Sequence, residues 1–98
     1  MMLIELLDKL DALPDDSIIY IPRGNTVRQD LEAITGPLEE YGEYGIPPDG
    51  FEYFLEIFKA KEVLQVWRDW RNGKIPDKHE KYQAILYYVE HDAYLPID

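Results

Sequence analysis

Leu3, Leu6, Leu7, Leu10 and Leu13 recur at the i, i+3, i+4, i+7 spacing of one helix face, with Glu5, Asp8, Lys9 and Asp11 on the other. Pro14 stops this first helix, because proline lacks the N–H that a further turn needs. Asp15-Asp16-Ser17 is turn chemistry, and Ser17-Ile18-Ile19-Tyr20-Ile21 is β-branched and aromatic, which predicts a strand ended by Pro22-Arg23-Gly24-Asn25. Over residues 26–36, Val27, Leu31 and Ile34 have helical spacing behind Thr26 as an N-cap, but the same residues suit an irregular strand. Residues 36–50 contain Gly36-Pro37, Gly42, Gly45, Pro47-Pro48 and Gly50 and are expected to be mostly loop. A loop of that length is uncommon in a compact domain and is often functional.

Residues 51–58 alternate as a strand. Phe51, Tyr53, Leu55 and Ile57 would face the core, and Glu52, Phe54, Glu56 and Phe58 would face outward. A helix is expected from about residue 60 to 72, with Val63, Val66, Trp67 and Trp70 on its apolar face and Gly73 closing it. Pro76-Asp77 opens a last helix carrying Tyr82, Ile85, Leu86 and Val89, and the tail after Asp92 docks through Tyr94 and Leu95. The fold class is therefore α+β: an N-terminal helix, a small β-sheet, and two C-terminal helices packed on one face. No repeat or linker divides residues 1–98, so one domain is expected.

Charge changes this picture more than composition does. Residues 1–57 hold 13 acids and 3 bases, whereas residues 58–98 hold 7 of each, so the net −10 sits wholly in the first part. Between Arg28 and Lys59 there are eight carboxylates and no base. Phosphates would be repelled, which argues against direct nucleic-acid binding and favours a protein partner with a basic surface. Hydrophobic content of 46% argues against disorder. There is no cysteine, hence no disulfide and no thiolate site. No apolar run approaches the ~20 residues of a membrane span. A cytoplasmic protein, monomeric or homodimeric, is expected.

Candidate chemistry is sparse. His79-Glu80-Lys81-Tyr82-Gln83 has Gln where a zinc helix needs its second His, so no site forms. His91 suits the C-terminus of the last helix, where the dipole favours a cation. Ser17 is the only serine and lies in no nucleophile motif. Glu39, Glu40 and Glu43 lack the spacing of a calcium loop. No catalytic residue, metal or cofactor is assigned.

Leu6-Leu7-Asp8-Lys9-Leu10-Asp11-Ala12-Leu13-Pro14-Asp15-Asp16-Ser17 and Tyr87-Tyr88-Val89-Glu90-His91-Asp92-Ala93-Tyr94 resemble the two ends of a family of small acidic bacterial proteins. The resemblance covers about two thirds of the chain and leaves out its acidic middle. It implies a cytoplasmic single domain of bacterial or phage origin and carries no activity or catalytic residue.

Carboxylates interleaved with aromatic rings make the candidate partner-binding surface: Glu39, Glu40, Tyr41, Glu43, Tyr44, Asp49, Glu52, Phe54 and Glu56. The favoured expectation is a non-enzymatic inhibitor that occupies a basic, nucleic-acid-binding surface of a partner protein, as an anti-CRISPR or toxin-immunity protein does. The alternative is a structural or adaptor subunit that self-associates through the 51–58 strand.

Overall fold

A computed structural model describes residues 1–37 and 47–97. Helix α1 spans Leu3–Leu7 and is followed by a 3-10 turn over Leu10–Ala12. The leucine stripe works as its spacing predicts, since Leu3, Leu6, Leu7 and Leu10 are buried. The helix is nevertheless shorter than expected. It breaks at Asp8, whose backbone carbonyl and carboxylate both accept hydrogen bonds from Lys81 Nζ, at 3.3 and 3.1 Å.

Residues 26–36 are not helical. The chain here runs beside the start of α1, where Leu31 O accepts from Leu3 N (2.8 Å), Gln29 O from Ile4 N (3.0 Å) and Met1 O from Ala33 N (2.8 Å). The first N–H groups of any helix lack intrahelical partners. Backbone carbonyls 28 and 25 residues away in sequence, those of Leu31 and Gln29, supply them here, so Met2 caps α1 without a side-chain bond. Leu31 and Ala33 are buried by this arrangement. The segment then continues as strand β2, Ile34–Pro37.

Strand β1, Ser17–Pro22, lies at the centre of a three-stranded sheet of order β2-β1-β3, antiparallel to both neighbours. Ile19 and Ile21 belong to the main hydrophobic cluster, and Ile18 and Tyr20, on the alternate face, are buried as well. An unbroken apolar run is what a strand covered on both faces needs. Strand β3, Phe51–Glu56, runs straight into helix α2, Ile57–Asp69.

Helix α2 buries Ile57, Ala60, Val63 and Trp67, packing on β1, β3 and helix α3, Lys78–His91. The expected core pair of tryptophans is corrected. Trp67 is buried, but the helix ends at Asp69 and Trp70 is 46% exposed. Asn72 and Gly73 take left-handed conformations (φ 57° and 82°), which lets Gly73 N donate to Arg68 O at 2.8 Å and close the helix. Helix α3 starts with a reciprocal capping box: Glu80 N donates to Asp77 Oδ1 (2.9 Å) and Asp77 N to Glu80 Oε1 (3.0 Å). It buries Tyr82, Ala84 and Ile85 and packs against α1. Val89, expected in its buried stripe, is exposed. The C-terminal tail docks as expected, with Tyr94 and Leu95 against the core and Arg71 donating to the carbonyls of Leu95 and Pro96. The architecture is the α+β one, with α2 and α3 in contact with each other and α2 on the sheet. Among the described residues no helix is long and apolar enough to cross a membrane.

Candidate partner-binding surface

Glu39, Glu40, Tyr41, Glu43 and Tyr44 lie outside the described residues, so the placement of the surface rests on Asp49, Glu52, Phe54 and Glu56. Asp49 is exposed in the turn before β3, where Gly50 adopts φ +84° and its carbonyl accepts from Arg23 N at 2.9 Å. Glu52 and Glu56 are half-buried on β3, an edge strand among the described residues.

The expected outward row Glu52-Phe54-Glu56 does not exist. Ile19 pairs with Leu55 and Tyr20 with Tyr53, so Phe54 is an extra residue in β3, a bulge. A bulge breaks the two-residue alternation. Phe54 and Leu55 are consequently both buried, Phe54 with 6% of its surface exposed, and Tyr53 turns outward with 45% exposed. Phe54 is therefore a core residue, not a surface anchor.

The same shift separates the two glutamates. Glu52 pairs with Ile21 and Glu56 with Ile18, residues on opposite faces of β1. Glu56 instead shares its face with Tyr53, the partner of Tyr20. Burial first, and then the neighbouring Glu56 carboxylate, push the Tyr53 phenol well above its ordinary value. Phe58, expected on the strand, sits in the first turn of α2 and is 47% exposed.

Beyond β3, one flank of α2 carries aromatic and charged groups in mutual contact. Lys59 Nζ donates to Glu62 Oε2 (2.6 Å) and lies 5.9 Å from the centre of the Tyr88 ring. The Tyr94 hydroxyl donates to Glu62 Oε1 at 3.1 Å. The Tyr94 ring lies 5.6 Å from Tyr88 and meets Trp70 edge-on at 6.0 Å. Lys59 and then Tyr94 hold the Glu62 carboxyl below its usual range, while burial and then Glu62 raise the Tyr94 phenol. Sequence patterning misses Tyr53 and Trp70 as surface groups because each falls on an apolar periodic position, whereas Phe58 faces outward as expected. The one signal in the chain is Gly73, whose stop places Trp70 at the end of the helix.

Ion pairing divides the described carboxylates, and Glu5, Asp11, Asp16, Asp69, Asp77, Glu90 and Asp92 join those of β3 in meeting no cation among the described residues. Asp8, Asp15, Asp30, Glu32, Glu62 and Glu80 each meet a cation within 3.1 Å. Asp49, Glu52 and Glu56 meet none among the described residues, as a stretch without lysine or arginine would require. The polar groups weighed for catalysis do not converge. Ser17 is buried at the start of β1, His79 is in the first turn of α3, and His91 is in the last, its ring 4.2 Å from Tyr87. Among the described residues no three acidic or histidine side chains are grouped to hold a metal. No family model matches the chain, and neither curated proteins nor solved structures contain a significant match.

Proposed function

We propose that the chain is a non-enzymatic binding protein whose acidic surface occupies the basic, nucleic-acid-binding surface of a partner protein, in the manner of an anti-CRISPR or toxin-immunity inhibitor. The observation that carries this reading is the exposed Tyr53 sharing a face of β3 with Glu56, with Asp49 before the strand and Glu52 on its other face, carboxylates that meet no cation among the described residues. Unpaired surface carboxylates attract a basic partner at long range and speed association. Tyrosine and tryptophan are the side chains that most often anchor an interface, and Tyr53 is placed for that role. In sequence, Glu39, Glu40 and Glu43 precede the same strand and add three charges with no compensating base. DNA presents about one charge per 1.7 Å of axis, and a surface of this kind substitutes for it.

The test is affinity capture from bacterial lysate at low and high salt, with the eluate identified by mass spectrometry. The reading expects nucleic-acid-binding proteins that are captured at low salt, released at high salt, and lost with a Glu52→Gln/Glu56→Gln double variant. Capture indifferent to both salt and the double variant contradicts it. A second reading, an adaptor that self-associates through β3, draws support from the edge position of that strand among the described residues, beside Tyr53 and Phe58. Sedimentation decides it: a dimer converted to monomer by Tyr53→Lys supports self-association, and a monomeric native chain removes it.

A further inference from the structure

Lys59, Glu62, Val66 and Trp70 follow one another at three- and four-residue spacing and so share one flank of α2. Helix α3 ends at Asp92, whose left-handed conformation (φ 53°) closes the helix, and the tail beyond it brings Tyr94 onto that flank. From here the contacts run without a break to β3. Tyr94 touches Trp70, Glu62 and Tyr88, and Lys59 lies over the Tyr88 ring. Burial, then Glu56, and last Tyr88 raise the Tyr53 phenol, which places Tyr53 at the far end of the series. Tyr53 and Trp70 are exposed, and Tyr88 and Tyr94 between them are half-buried.

The face of an aromatic ring is negative and attracts a cation. The chain makes such contacts with its own bases. Lys59 Nζ stands 5.9 Å from the centre of Tyr88 while it donates to Glu62, and the Arg71 guanidinium lies 4.3 Å from the ring centre of Trp67. Among the described residues no cation lies over Tyr53 or Trp70, and none meets Glu56. The face thus carries two carboxylates, Glu56 and Glu62, and a single cation, Lys59, which Glu62 already holds. A flat guanidinium stacks on a ring and pairs with a carboxylate through two hydrogen bonds, which an ammonium does not do. Arginine is the side chain that fits.

We propose, building on a basic partner for the acidic surface, that this face receives arginine side chains of that partner, one on Tyr53 beside Glu56 and one on Trp70 beyond Tyr94. From Lys59 to Trp70 the flank runs about 17 Å at the helical rise, and six extended residues reach ~20 Å.

The probes are therefore hexaarginine and hexalysine, peptides of equal charge. Each is titrated into the ¹⁵N-labelled chain at about 150 mM salt, where attraction beyond about 8 Å is screened. Hexaarginine should bind about fivefold tighter than hexalysine, with the largest shifts at residues 53–59, at 88–94 and at the Trp70 indole. A Tyr53→Leu/Trp70→Leu double variant keeps the apolar bulk and every charge. It should bring the two peptides to within about twofold of each other by weakening hexaarginine. Glu56→Gln should weaken hexaarginine severalfold, and Asp16→Asn, which removes the same charge from an exposed turn, much less. Equal binding of the two peptides by the native chain overturns the proposal, as do shifts centred on other residues. An arginine preference that survives both leucine substitutions, or equal effects of Glu56→Gln and Asp16→Asn, overturns it as well. Capture from lysate reports on the partner and the peptide titration on the rings, so either can fail while the other stands.

Discussion

Truncating Phe54 and truncating Tyr53 to alanine should have opposite signatures, although the two residues are adjacent in one strand. Phe54 is 6% exposed and belongs to the hydrophobic cluster with Leu55, Ile57 and Leu3. Removing a buried phenyl ring costs about 3–5 kcal/mol from lost transfer energy and the cavity left behind. With 98 residues the unfolding entropy near Tm is about 0.2 kcal/mol/K, so Phe54→Ala should lower Tm by roughly 15–25 °C. Tyr53 is 45% exposed, and its truncation should cost about 1 kcal/mol, which corresponds to a shift of about 5 °C. The assay is urea unfolding of both variants and the native chain, followed by circular dichroism, with equal slopes confirming a common unfolded state. The expected order is native, then Tyr53→Ala, then Phe54→Ala far below. If Tyr53→Ala were the more damaging, β3 would alternate without a bulge, Phe54 would face solvent, and the placement of the whole β3 surface would be wrong.

Glu80 is held below the ordinary glutamate range first by the Asp77 backbone N–H and then by Lys74, and Glu62 first by Lys59 and then by Tyr94. Because both carboxyls are lowered in the folded state, the stability they add is present above the unfolded glutamate pKa and is lost as pH falls through their folded values. NMR titration of the two carboxyl groups should show both depressions, and Lys59→Met should raise Glu62 toward its ordinary value; an unmoved Glu62 would refute the assignment. Asp77→Ala removes the capping box and should cost about 1 kcal/mol, with faster amide exchange confined to the first turn of α3. Trp67 is buried and Trp70 exposed, so Trp70→Phe should leave blue-shifted fluorescence that acrylamide quenches poorly, while Trp67→Phe should leave the reverse. Equal quenching of the two variants would contradict the ending of α2 at Asp69.

Local physics made much of this fold legible in the sequence. The leucine spacing marks the buried face of α1, the run from Ile18 to Ile21 marks the central strand, and Asp77 with Glu80 marks the start of α3. What escaped reading depends on contacts distant in sequence. Val27, Leu31 and Ile34 have the spacing of a helix, yet the carbonyls of Gln29 and Leu31 are committed to the N–H groups of Ile4 and Leu3, which holds the chain extended. The bulge falls within the apolar run Tyr53-Phe54-Leu55, which a regular strand would divide between its two faces, so its position is set by the pairing with β1 and not by local pattern. One extra residue was enough to exchange Tyr53 and Phe54 and to part Glu52 from Glu56. The unpaired charge of Asp49, Glu52 and Glu56 was legible, because a stretch without a base offers no local cation to pair with them.

Competition is the direct measure of whether the acidic surface substitutes for nucleic acid. With a basic partner obtained by salt-sensitive capture, the chain and the partner's own DNA or RNA are titrated against each other by fluorescence anisotropy. Mutual exclusion is expected: labelled nucleic acid is fully displaced by the chain, and its apparent affinity falls in proportion to the chain added. Replacing Glu52 and Glu56 with glutamine should weaken that displacement severalfold at low salt and much less at high salt. A stable ternary complex of partner, nucleic acid and chain would contradict the claim.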